Sequence, residues 1–200
     1  VKSAVILDRD GVINDHRHYV NSPADLYLFP FAGPAIRKLN DAGLEVYVAT
    51  NQGGVGLGYL SIRTLDRIHR KLQQELRAAG AVVTDIEVCP HAPGTGCSCR
   101  KPEPGMLLSL QRKHGFTPAL SYMVGDRESD VEAGQRAGMK TVRIGVPPSN
   151  AHAVVADLSE AVDWILQDLG TVHRPTSYAI LEHPSDQAEE NGSGDVNVDR

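Results

Sequence analysis

Two hundred residues, 41% hydrophobic and 22% charged, have the size and usage of one globular α/β domain, which excludes a collagenous, disordered or membrane-embedded chain. The formal net charge of −5, from 20 basic and 25 acidic residues, offers no basic field for a nucleic-acid backbone, and no stretch approaches the ~20 apolar residues of a membrane span. The charge is uneven, because residues 171–200 hold six acids and two bases and leave the first 170 nearly neutral.

The first apolar run, Ala4–Leu7, predicts a strand and is cut at once by Asp8, Arg9 and Asp10, so it is no secretory leader. The three cysteines are therefore expected in a reducing cytoplasm and not in disulfides. A helical pattern over 33–42 leads to a second strand at 45–49. The longest helix is expected over 61–79, where Ile62, Leu65, Ile68, Leu72 and Leu76 recur at three- and four-residue steps and form one core-facing stripe. Strands at Asp85–Cys89, 121–125 and 141–144 then alternate with helices at 104–114, 129–137 and 159–169, the last stopped by Gly170. This alternation predicts an α/β fold, a Rossmann-like parallel sheet with helices on both faces. One domain over 1–170 and a polar, acidic, flexible tail over 171–200 follow, with a monomer expected.

The segment Val5-Ile6-Leu7-Asp8-Arg9-Asp10-Gly11 delivers two carboxylates, two residues apart, to the carboxyl end of a buried strand, where open α/β sheets bind ligands. Carboxylates this close call for a cation between them. Val124-Gly125-Asp126 repeats the design, and Asp130 follows one helical turn later. Magnesium prefers oxygen and typically takes only one or two protein carboxylates, so Asp8, Asp126 and a backbone carbonyl near Asp10 would suffice. Thr50, Asn51 and Gln52 end the middle strand at the same edge and are read as a phosphate cradle, with Lys101 as the remaining cation.

Cys89-Pro90-His91 and Cys97-Ser98-Cys99 place three thiols and an imidazole within eleven residues. The donor set suits tetrahedral zinc, and four protein ligands leave no open position, so a structural ion is expected. Gly53, Gly54, Gly56 and Gly58 lack the spacing of a dinucleotide fingerprint and read instead as a mobile substrate-facing loop.

Asp8-x-Asp10-Gly11, Thr50, Lys101 and Gly125-Asp126-x-x-x-Asp130 resemble, in order and spacing, the motifs of the haloacid dehalogenase superfamily of phosphatases. The resemblance implies that Asp8 is a nucleophile forming an aspartyl-phosphate and that Asp10 protonates the leaving oxygen and then activates water. It further implies that Thr50 holds the phosphoryl group, Lys101 steadies Asp8, and Asp126, with Asp130 nearby, positions magnesium. Asp-Arg-Asp-Gly, Thr50-Asn51-Gln52, the cysteine loop and Cys99-Arg100-Lys101-Pro102 further resemble the heptose 1,7-bisphosphate 7-phosphatases, with the histidinol-phosphate phosphatases a close relative. A small phosphorylated sugar is the substrate this implies, met by Asn51, Gln52 and Arg100 and by His16, Arg17 and Tyr19 of an opposing loop. Two departures stand out: the cysteine loop is compact, and His16-Arg17-His18-Tyr19 does not reproduce the Asp-His-Gly-Tyr run of the heptose enzymes. No insertion is long enough for a cap domain, so loops 15–22, 53–60 and 90–100 are expected to cover the cleft. A zinc-stabilised binding module with an idle phosphatase fold is the alternative outside enzymes.

Overall fold

The computed structural model describes residues 2–172 apart from His18, with side chains through Gly170. The tail expected over 171–200 lies outside the described residues beyond Val172. Six strands, β1 (Ala4–Leu7), β2 (Glu45–Asn51), β3 (Asp85–Cys89), β4 (Tyr122–Gly125), β5 (Lys140–Ile144) and β6 (Ala153–Val155), form one sheet of order β3-β2-β1-β4-β5-β6. Every pairing is parallel. Among the described residues the α-helices are α1 (Ala32–Asp41), α2 (Ile62–Ala78), α3 (Gly105–His114), α4 (Glu128–Arg136) and α5 (Leu158–Val172).

The strands are apolar on both faces because helices cover both. Val5, Leu7, Val46, Val48 and Val124 pack with Ile36, Leu39, Ile68, Leu72 and Ile165 of α1, α2 and α5. Their neighbours Ala4, Ile6, Tyr47, Ala49 and Met123 point the other way, onto Met106, Leu107, Leu110 and Ala133 of α3 and α4. α2 starts where Ser61 accepts a hydrogen bond from the Thr64 amide at 3.0 Å. Its stripe is buried from Leu65 to Leu76, whereas Ile62 is half exposed.

Two expectations need correction. β6 was absent from the predicted set, since three residues give too short an alternation to register. α5 runs through Gly170 to Val172, because a glycine costs a helix about 1 kcal/mol without forbidding it. The connections 8–31, 52–61 and 90–104 at the carboxyl edge hold no further domain, only a 3-10 turn at Pro23–Asp25 and isolated bridges. Among the described residues no helix is long and apolar enough to cross a membrane.

Candidate active site and cysteine loop

β1 and β4 lie side by side in the middle of the sheet, where successive connections leave in opposite directions and open a crevice at the carboxyl edge. The pairing continues one residue beyond β1, with the Asp8 amide donating to Val124 O at 2.8 Å, so the backbone itself aims Asp8 into the crevice. Lys101 Nζ donates to Asp8 Oδ1 at 2.8 Å and to Ala49 O at 2.7 Å, and pairs with Asp130 Oδ1 at 2.6 Å. Three acceptors match the three N–H bonds of an ammonium, which is how a lysine only 4% exposed stays charged. Burial works against that charge, and Asp8 with Asp130 outweighs it and holds the lysine above its ordinary pKa.

Burial pushes the Asp8 carboxyl up to about 6; Lys101 opposes the rise, while Asp130 and Asp10 add to it. Asp126 is likewise raised, by burial and then by Asp8, and its Oδ1 is buried with no hydrogen-bond partner. Oxygens of Asp8, Asp126 and Asp130 all lie within 4.8 Å of one another. Three carboxylates against one ammonium leave an excess of negative charge, and the orphaned oxygen points to a hard, oxygen-seeking cation as the missing partner. Gly11 makes the approach feasible: it has φ +83°, and a Cβ there would stand 2.5 Å from Asp126 Oδ2.

Asp10 is held differently. Its Oδ1 accepts from Arg9 Nε at 3.1 Å, Arg9 Nη2 at 2.8 Å and Asn14 Nδ2 at 3.0 Å, and its Oδ2 from Gln52 Nε2 at 2.9 Å. Burial favours the neutral acid, but these donors prevail and lower its pKa. Gln52 Nε2 also donates to Thr50 Oγ1 at 2.8 Å, so the Thr50 hydroxyl proton is free for another acceptor.

The cysteine loop leaves β3 directly. Cys89 Sγ is 3.6 Å from both Cys97 Sγ and His91 Nδ1, and His91 Nδ1 is 3.2 Å from Cys99 Sγ. Metal–sulfur bonds of ~2.3 Å in a tetrahedron separate sulfurs by roughly 3.7 Å, so the four donors already have the spacing of one closed site. Burial resists ionisation of Cys97, yet the Arg100 amide and the neighbouring thiols draw it down to about 6.

From this loop the chain passes straight into Arg100 and Lys101, and Asn51 fixes the junction. Asn51 Nδ2 donates to Lys101 O and the Lys101 amide donates to Asn51 Oδ1, both at 3.1 Å. The glycine-rich turn after β2 also locks on: the Gly56 amide donates to Pro90 O at 2.8 Å, and a Cβ at Gly56 would fall 2.4 Å from the Ala92 nitrogen. The glycine-rich segment is thus a turn that meets the cysteine loop, with Gly56 serving close approach.

Comparison with known proteins places this architecture. Residues 98–172 match the HAD-hydrolase-like family model. A D-glycero-beta-D-manno-heptose-1,7-bisphosphate 7-phosphatase of Rhodopseudomonas palustris is 41% identical over 149 residues, 71% of this chain and 83% of that protein. One of Pseudomonas aeruginosa is 35% identical over 176 residues, 83% and 99% of the two chains. The crystal structure of the D,D-heptose 1,7-bisphosphate phosphatase from B. bronchiseptica, complexed with magnesium and phosphate, superposes with a TM-score of 0.76 at 36% identity, covering 84% of this chain and 99% of that one. The chain belongs to the heptose bisphosphate phosphatase family.

Set against that family, the predicted residues divide into groups. Asp8, Lys101, Asp126 and Asp130 converge on one point, and Thr50, Gln52 and Asp10 form a hydrogen-bonded row beside it. His16 Nε2 stands 3.8 Å from Asp126 Oδ2, at the mouth of the crevice. The guanidinium of Arg100 lies on the cysteine loop, 3.4 Å from His91 O. Three side chains have other engagements: Asn51 clamps the Lys101 backbone, Arg17 pairs with Asp15 at 2.5 Å, and Tyr19 is 90% exposed. Sequence reasoning missed Arg9, Asn14 and His69, of which Arg9 and His69 are buried in contact with each other. The only available signal was a histidine inside the apolar stripe of α2.

Proposed function

We propose that this chain is a magnesium-dependent phosphatase that removes the 7-phosphate of D-glycero-D-manno-heptose 1,7-bisphosphate through an aspartyl-phosphate on Asp8. The observation that carries the reading is the buried ion-pair set of Asp8, Lys101 and Asp130 beside the orphaned Asp126 Oδ1, in a chain 41% identical to a phosphatase of that name. A carboxylate oxygen of Asp8 attacks phosphorus while the bond to the sugar oxygen breaks, and Asp10 gives that oxygen its proton. The Asp10 carboxylate then takes a proton from water, which attacks the aspartyl-phosphate and releases inorganic phosphate. Its lowered pKa suits the second half-reaction, and a phosphate dianion arriving beside it raises that pKa for the first.

Lys101 offsets charge on Asp8 and on the transferred group, and the Thr50 hydroxyl, already accepting from Gln52, donates to a phosphoryl oxygen. Magnesium, which Asp8, Asp126 and the Asp10 carbonyl would hold with Asp130 behind them, supplies further charge neutralisation when bound. Cys89, His91, Cys97 and Cys99 would hold zinc, which when bound would fix the backbone that leads into Arg100 and Lys101. Arg100, a planar fork at the rim, is assigned to the second phosphate.

Substrate comparison tests this. With inorganic phosphate release as the assay, heptose 1,7-bisphosphate should exceed histidinol phosphate in kcat/KM by at least ~100-fold, about 2.7 kcal/mol of transition-state discrimination. Relatives at the same 35% identity are named for opposite anomers, so both anomers belong in the assay. Equal rates with histidinol phosphate would reject the heptose assignment and leave the phosphatase chemistry standing.

The zinc proposal has its own test. Cys97→Ser should lose the ion and, by loosening the backbone that leads into Lys101, lower kcat/KM about tenfold. Metal analysis beside kinetics checks it, and full activity in zinc-free protein would contradict the coupling.

A further inference from the structure

Arg9 is only 1% exposed and its guanidinium faces two ways. Nε and Nη2 hold Asp10 Oδ1 at 3.1 and 2.8 Å, and Nη2 reaches Oδ2 at 2.9 Å; on the other side Nη1 meets His69 Nε2 at 3.1 Å. His69 comes from α2, sixty residues along the chain, and is buried in the stripe between Leu65 and Leu72. Burial and the adjacent guanidinium hold its imidazole down to about 4, so the ring is neutral at pH 7. Arg9 has only protons to offer, so Nε2 is the acceptor and the ring proton sits on Nδ1.

A guanidinium taken out of water needs a counter-charge and an acceptor for each remaining N–H. Asp10 provides the charge and His69 the acceptor on the opposite edge. With the imidazole in place the guanidinium plane is fixed at both ends, and with it the Asp10 carboxylate. Without the imidazole, Nη1 is unsatisfied and the fork is free to rotate toward water, taking its grip on Asp10 with it.

We propose that His69 is a positioning residue for Asp10, acting through Arg9 from the core-facing side of α2. The proposal rests on the reading of Asp10 as the group that protonates the leaving oxygen. The rival explanation is that the pair merely anchors α2 to the sheet.

Leaving-group dependence separates the two. A sugar alkoxide needs a proton to depart, whereas p-nitrophenolate does not, so in kcat/KM, which stops at the phosphoryl transfer and leaves out the dephosphorylation common to both, a misplaced acid slows heptose 1,7-bisphosphate and spares p-nitrophenyl phosphate. Asp10→Asn should lower kcat/KM for the heptose substrate at least ~100-fold, with a much smaller loss of kcat/KM on the aryl substrate, while kcat falls on both because the dephosphorylation they share loses its base. His69→Met, which keeps volume and helix propensity but removes the acceptor, should show the same selectivity at about tenfold on kcat/KM. Arg9→Lys should do likewise, and His69→Gln, whose amide oxygen accepts from Nη1, should restore the wild-type ratio. Equal losses on both substrates in His69→Met and Arg9→Lys would overturn the inference, as would failure of both variants to fold, since the pair would then serve the fold. If Asp10→Asn itself shows no selectivity, the acid assignment falls first and the role of His69 falls with it.

Discussion

Asp8→Asn will lower kcat by at least about a thousandfold while leaving the fold intact, because it deletes the nucleophile without changing its volume. Lys101 keeps Asp130 and Ala49 O as partners, and the asparagine oxygen can still accept from it. Without bound metal the substitution should also stabilise the protein, by removing one of three crowded carboxylates. The sign follows from linkage. Asp8 has a folded pKa of about 6 against an ordinary value of 3.8, so between those values this group binds more protons in the folded chain than in the unfolded one. Asp8 therefore contributes stability that grows as pH falls from 7 through 6 towards 4, by something on the order of 2 kcal/mol. His69, held down to about 4, works in the opposite direction over the same range, so the difference between metal-free wild type and Asp8→Asn isolates the Asp8 contribution. Asp8→Asn should lack that contribution, so its stability falls further below wild type, or exceeds it by less, at pH 5 than at pH 7. Thermal melts in chelator at pH 7 and pH 5, beside turnover assays, read both effects. Residual turnover near wild type would sink the covalent mechanism.

Lys101→Met will damage both chemistry and stability. The ammonium is the buried cation that Asp8 and Asp130 share, and deleting one member of a buried ion pair typically costs about 3–5 kcal/mol. Part of that cost is escaped by protonation, and Asp8 is the group already raised. The acid limb of the kcat/KM profile for p-nitrophenyl phosphate should therefore move to higher pH by at least about one unit, because the nucleophile ionises later once its cation is gone. A drop in kcat of about a hundredfold or more should accompany the shift. An unmoved acid limb would show that Lys101 does not set the ionisation of Asp8.

These groups were legible because each sits where a local pattern ends. Asp8 and Asp126 follow strands whose apolar runs stop abruptly, and Asp130 lies one turn into a helix whose first residue is fixed by the preceding strand. The cysteine donors are neighbours in sequence as well as in space. β1 and β3 were legible to the residue, the first as an apolar run stopped by Asp8 and the second as a polar–apolar alternation stopped by Pro90.

What escaped depends on partners far apart in the chain. Arg9 is adjacent to two key carboxylates, yet its role is set by His69 sixty residues away, and no periodicity predicts that a histidine in an apolar stripe faces a guanidinium. Asn51 has the address of a phosphate ligand, but its amide matches the Lys101 backbone fifty residues on. The glycines of 53–58 are conformationally permissive, and permissiveness alone did not reveal that Gly56 packs against the cysteine loop. Gly170 misled for a related reason: a weak helix former was read as a terminator, although Leu166 and Leu169 pack against the core on that last turn.

α2 does more than cover the sheet. From its inward side His69 meets Arg9, and two residues on Lys71 Nζ donates to Pro23 O at 2.8 Å and Leu26 O at 3.1 Å, tying down the segment that follows His16. One rigid rod thus borders the chemical centre and anchors the stretch that fronts it. The two are mechanically geared, so displacing the rod to admit a bulkier ligand would also disturb Arg9. Room for altered recognition is thereby left to side chains such as Arg17 and Tyr19, which project outward, while the frame behind them stays put.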